Sequence, residues 1–105
     1  MHIQIVNFNL REMSHADYEA FSDEVAPRFA GVPGLLSKTW LADEASNTYG
    51  GVYFWASKAA MEDFFQTDFF KAVVNNPNLA NLTSKDFAVL DAPGRATRSL
   101  GAMAA

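Results

Sequence analysis

The run Gly50-Gly51-Val52-Tyr53-Phe54-Trp55-Ala56-Ser57 constrains the fold more than any other stretch of this chain. Two glycines open it, three aromatics fill it, and a serine suited to capping a helix closes it. Successive side chains of a strand point to opposite faces. Tyr53 and Trp55 therefore share one face, and Val52 and Phe54 share the other. Both faces are unfavourable to leave in water. Such a sheet needs helices over one side and a second cover, such as another subunit, over the other. The phenol and the indole N–H sent inward each need a polar partner.

The flanking sequence supplies the rest of the fold. His2 to Phe8 alternates, with Ile3, Ile5 and Asn7 on one face and His2, Gln4, Val6 and Phe8 on the other. Ser14 is placed to cap a helix, with Asp17 in the capping-box position. The helix that follows carries Tyr18, Phe21, Val25 and Phe29 on one stripe. Pro27 is expected to kink or end it. After the break Gly31-Val32-Pro33-Gly34, Leu35 to Asp43 and Tyr49 to Ala56 read as two strands of an antiparallel hairpin. Ser57 caps a second helical stretch bearing Met61, Phe64 and Phe65. Thr67 or Asp68 restarts it with Phe69, Phe70, Val73 and Val74. Asn75-Asn76-Pro77-Asn78 ends it, and Leu82 to Asp91 is the expected last strand. From Ala92 periodicity stops, and the tail is either disordered or pinned by a partner.

The order β-α-β-β-α-β is the ferredoxin-like arrangement, an α+β fold with a four-stranded antiparallel sheet and helices on one face. Residues 1–91 make a single domain and 92–105 a C-terminal tail; 105 residues suffice for one core. Val52, Phe54 and Trp40 are expected on the bare face, as an apolar patch that face-to-face dimerisation would cover. Trp40 is then an interface residue, with contact to a ligand as the other reading. Lys38, on the same strand face, either pairs across the dimer with Asp86 or Asp91 or lies along the surface with its ammonium in water.

Several function classes are disfavoured. The net charge of −4 and the absence of a basic cluster argue against nucleic acid. No apolar run approaches the roughly 20 residues of a membrane span. The N-terminus shows no basic segment followed by an apolar one, so a leader is not expected. Without cysteine there are no disulfides, thiol nucleophiles or thiolate metal sites, and the cytoplasm is the default location. No metal site is expected, because His2 and His15 lie on different elements. Gly50-Gly51 precedes a strand rather than following one, the wrong context for a phosphate loop.

The block Pro33-Gly34-Leu35, Lys38-Thr39-Trp40 and Gly50-Gly51-Val52-Tyr53-Phe54, followed at once by a helix, resembles the YdhR-like monooxygenases. These belong to the dimeric α/β-barrel superfamily, alongside the antibiotic-biosynthesis monooxygenases. The resemblance runs from about Val32 to the last strand. It implies that two sheets close face to face into a homodimeric barrel. It also implies a monooxygenase using no metal, haem or flavin on an aromatic or polyketide-like molecule, with the substrate supplying electrons to O2. The alternative is a non-catalytic or isomerase-like barrel that binds small hydrophobic ligands. Haem-degrading relatives use Asn, Trp and His. Asn7 and Trp55 are candidates for the first two, whereas Val74 stands where those relatives have the histidine. No cofactor is therefore expected. The candidate site is a pocket between sheet and helices, with Asn7, Trp55 and Tyr53 as catalytic residues and Phe64, Phe65 and Phe69 lining it. Asn7 would hold an oxyanion. Tyr53, His2 and His15 are the options for a base. For the phenylalanines, simple core packing is the competing reading.

Overall fold

Residue alternation builds the sheet seen in the computed structural model, which describes residues 1–99. Strands β1 (His2–Leu10), β2 (Leu35–Asp43), β3 (Thr48–Trp55) and β4 (Leu79–Ala88) pair antiparallel in the order β2-β3-β1-β4. His2, Gln4, Val6 and Phe8 of β1 are all buried, opposite Trp55, Tyr53, Gly51 and Tyr49 of β3. The helices α1 (His15–Ala30), α2 (Lys58–Phe65) and α3 (Asp68–Val74) cover this face, packing Tyr18, Phe29, Met61 and Phe64 onto it. This is a ferredoxin-like α+β fold.

The predicted caps are present. The Ser14 side chain accepts from the Asp17 N–H at 3.0 Å, and the Asp17 carboxylate reaches back to the Ser14 N–H. Ser57 and Thr67 cap α2 and α3 through the N–H groups of Ala60 and Phe70. Each satisfies an N–H that has no partner inside its helix.

Three boundaries differ from expectation. Helix α1 continues through Pro27 to Ala30, with Pro27 exposed. The missing N–H leaves the Asp23 carbonyl unpaired on a side where water reaches it, so the helix tolerates the ring. β4 begins three residues before the expected Leu82 and ends at Ala88, with a register shift on β1 between Asn7 and Asn9. Leu79 and Ala80, buried and paired with Leu10 and Asn9, belong to the strand and not to the preceding break. The tail starts with a short helix, α4 (Asp91–Ala96), and Pro93 occupies its N-terminal turn, where an N–H is not needed. Residues 100–105 of the expected tail lie outside the described residues.

The opposite face of the sheet has no helix. Ile3 and Ile5 pair there with Phe54 and Val52, all partly buried, and Phe87 beside them is 52 % exposed. Trp40 is not on this face. The hairpin register sets Lys38 opposite Tyr53 and Trp40 opposite Gly51, so both side chains point under the helices. Gly50 lies against β1 so closely that a Cβ there would come within 1.8 Å of the Val6 carbonyl oxygen. Only glycine permits that approach.

Candidate active site

Phe29, from the last turn of α1, is the centre of the aromatic packing. Its ring meets Trp40 at 5.4 Å, Tyr53 at 6.0 Å, Phe64 at 6.2 Å and Phe69 at 4.7 Å between centroids. Edge-on and tilted pairs at these separations suit the ring quadrupoles. Into this cluster the sheet inserts Lys38. Its Nζ lies 3.3 Å from the Trp40 centroid, 3.5 Å from Phe29 and 4.8 Å from Tyr53. Among the described residues no carboxylate pairs with it. Burial, with no opposing charge, brings its pKa down from 10.5 to about 7. Gly51 makes room for the side chain: a Cβ on Gly51 would sit 2.8 Å from Lys38 Cε.

Three recesses meet at this point. A cleft of about 310 Å³ between α1 and β2 is bounded by His15, Tyr18, Glu19, Trp40 and Ala42. A second, of about 250 Å³, is bounded by Phe29, Leu35, Ser37, Lys38 and Trp40. Between sheet and helices an inner cavity of about 40 Å³ is enclosed by Phe29, Lys38, Trp40, Tyr53, Phe69 and neighbouring apolar side chains. Trp40 is common to all three. Mostly apolar walls with a few polar groups are the usual make-up of a small-molecule site.

The residues singled out in the sequence are thus only partly assembled. Tyr53, Phe69 and Trp40 surround the inner cavity. Phe64 borders a neighbouring space of about 30 Å³ with Tyr53 and Gln4. Phe65 packs on Phe70 at 4.7 Å and bounds none of these spaces. Trp55 is fully buried. It stacks on Tyr53 at 6.1 Å, and its indole N–H donates to Gln4 Oε1 at 3.0 Å. Gln4 in turn donates to Ser84 Oγ at 2.9 Å. No guest can stack on Trp55 without unpacking the core, so it backs the site rather than lining it. Asn7 is on the other face of the sheet, alternating with Val6 and Phe8, and its amide donates to the Tyr49 carbonyl at 3.4 Å. It cannot share a pocket with Tyr53.

The options for a base sort themselves by partner. Burial, then the neighbouring Tyr18, pushes the Tyr53 hydroxyl up, so it stays a neutral donor. His2 is held by Asp86 at 2.6 Å, and that carboxylate is accordingly not waiting for Lys38. His15 is not simply exposed. Its Nε2 lies 2.7 Å from Glu19 and its Nδ1 2.6 Å from the Tyr49 hydroxyl. A carboxylate only accepts, so Nε2–H donates to Glu19, while Nδ1 faces the Tyr49 hydroxyl and, at 3.4 Å, the Glu44 carboxylate. Burial, then the Glu44 carboxylate, raises the Tyr49 hydroxyl. The Tyr49–His15–Glu19 chain beside the larger cleft was missed in the sequence because its members lie on a strand and a helix 34 residues apart.

Among the described residues no group of three or more His, Cys, Asp or Glu could hold a metal ion. Helix α3 carries no histidine, and Val74 is 39 % exposed at its end. With His2 and His15 both engaged elsewhere, these residues do not fit a haem held by an axial imidazole.

A ferredoxin-like sheet with an aromatic recess under its helices places the protein with the antibiotic-biosynthesis-monooxygenase fold. Solved structures agree in fold: one described as "a putative antibiotic biosynthesis monooxygenase" from Deinococcus radiodurans is 14% identical and covers 88% of this chain and 95% of its own, at a TM-score of 0.73. SnoaB, described as a cofactor-independent oxygenase from Streptomyces nogalater, is 20% identical over 84% of this chain and 92% of its own, with a TM-score of 0.66. The haem-degrader MhuD from Mycobacterium tuberculosis, with two haems bound in its active site, is 18% identical over 86% of this chain and 96% of its own, with a TM-score of 0.67. No curated protein matches the chain. The family model described as "Putative mono-oxygenase ydhR" matches residues 3–100, and the chain belongs to that family.

Proposed function

We propose that this chain is an oxygenase that uses no metal, haem or flavin and acts on a flat aromatic or polyketide-like compound. The substrate supplies the electrons. Loss of a phenolic or enolic proton makes the ring electron-rich, and a ring methylene then reacts with O2. One oxygen atom stays as a carbonyl, the other leaves as water with the two methylene hydrogens, and the carbon is the group oxidised. The observation that carries this reading is the aromatic recess around Trp40, Phe29 and Tyr53, with Lys38 and the neutral phenols of Tyr18 and Tyr53 lining it. Its walls would align a flat ring and keep water from the oxyanion. The family and the likeness to SnoaB support it.

In this reading the protein works as a cytoplasmic homodimer, joined through Ile3, Ile5, Val52, Phe54 and Phe87. That apolar surface is the argument for a second copy.

A second reading is a barrel that binds small hydrophobic molecules without transforming them. The inner cavity of about 40 Å³ favours it, being far smaller than a polycyclic substrate. Oxygen uptake with anthrone separates the two. The oxygenase reading expects consumption well above the blank and a marked loss in Trp40→Ala. Binding of anthrone with no oxygen consumed would establish the second reading instead.

A further inference from the structure

We propose that Lys38 is the general base of this site, taking the phenolic or enolic proton of the substrate and holding the resulting oxyanion as its counter-ion. The proposal rests on the oxygenase reading and adds the residue and the chemical class it selects, an acidic phenol or enol on a flat ring.

The geometry carries it. Lys38 is the one charged side chain lining both the inner cavity and the cleft of about 250 Å³ among the described residues. Its Nζ rests on the Trp40 and Phe29 rings at 3.3 and 3.5 Å, in line with an aromatic guest entering beside them. Gly51 leaves the space that its stem occupies. A buried cation is normally paired with an anion, and here the described residues provide none. Ring faces favour an ammonium but do not neutralise it. The ammonium would be satisfied by a guest carrying an ionised oxygen.

The other groups facing this space do not compete. Tyr18 from α1 and Tyr53 from β3 are both raised by burial and stay neutral. The Arg28 guanidinium lies over the Phe69 ring at 4.1 Å. Lys38 itself, at about 7, holds enough free amine at neutral pH to accept a proton. In the step, the substrate O–H bond breaks, an N–H bond forms on Nζ, and the bonding pair stays on the substrate oxygen. No electron leaves the substrate here. For a phenol the proton returns from Nζ to the ring oxygen of the product; for an enol it is one of the two methylene hydrogens of the keto form and leaves in the water.

The test is anaerobic titration of 4-nitrophenol, whose neutral and ionised forms absorb at different wavelengths. Wild-type protein should lower the apparent pKa of the bound probe by roughly 1–3 units, the effect of an opposite charge at close range. Lys38→Met should abolish that shift while circular dichroism stays native. A wild-type protein that does not bind the probe, or binds it without a shift, overturns the proposal. So does a shift of equal size in Lys38→Met. Oxygen uptake with anthrone is read separately. Retained uptake in Lys38→Met overturns the base while leaving the oxygenase reading in place. A Lys38-dependent shift with no oxygen uptake overturns the oxygenase reading while supporting proton transfer to Lys38.

Discussion

A lysine held among rings without a counter-ion should destabilise the fold, by an amount that pH controls. Lys38 falls from 10.5 in an unfolded chain to about 7 in the folded one. At ~1.4 kcal/mol per pH unit, keeping it protonated while folded costs about 5 kcal/mol. Its ring contacts offset part of this, by at most about 2 kcal/mol, leaving roughly 3–5 kcal/mol. Below about pH 7 both states carry the proton and the whole penalty applies. Between about 7 and 10.5 the folded protein sheds the proton while the unfolded chain keeps it. The unfolded state then binds more protons, so stability rises with pH across that window. Lys38→Met fills the same space without the charge. It should exceed wild type by roughly 3–5 kcal/mol near pH 6, with the gain shrinking towards zero as pH approaches 10.5. Urea denaturation of both proteins across this range, followed by tryptophan fluorescence at one protein concentration, measures the difference. Subtracting one from the other removes every group they share. A difference independent of pH, or a methionine variant less stable than wild type near pH 6, would refute the reasoning.

Other substitutions probe the same neighbourhood. Gly51→Ala places a methyl 2.8 Å from Lys38 Cε and 3.3 Å from Tyr53 Cε1. It should weaken 4-nitrophenolate binding and lower stability by about 1–3 kcal/mol, and unchanged titration curves would count against the role given to Gly51. Trp55→Phe removes the donor to Gln4 Oε1 and should lower denaturation stability by about 1–3 kcal/mol with oxygen uptake per folded molecule unaltered. A selective loss of uptake would return the indole to the chemistry. Tyr49→Phe removes the hydroxyl held by His15 and should lower stability by about 1 kcal/mol in the same assay, with no loss contradicting that bond. Phe54→Glu should convert a dimer to a monomer in sedimentation velocity, and a monomeric wild type would remove the case for the barrel.

The fold was legible because its strongest signals are local. Alternation in β1 and β3 separates Gln4, Val6, Tyr53 and Trp55 from Ile3, Ile5, Val52 and Phe54 without any knowledge of tertiary contacts. Strand β2 lacks such contrast. Leu35-Leu36-Ser37-Lys38-Thr39-Trp40-Leu41 is mixed on both sides, and only the pairing of Trp40 with Gly51 decides which side is inner. That is why Trp40, expected on the bare face, lies on the other. Asn7 failed differently. The alternation that put it with Ile3 and Ile5 already excluded it from a pocket with Tyr53, and only the family's Asn–Trp–His pattern drew it there. Lys38, expected to pair with Asp86 or Asp91 or to lie along the surface, is instead buried without a counter-ion, a property of the assembled packing and not of neighbouring residues in the chain.

Trp40 bounds three separate spaces, so their sizes are not independent of one another. The indole is a wall of each, so a change in its size alters all three at once without any movement of the sheet or helices. Shortening that single side chain is the simplest way for this scaffold to change its guests.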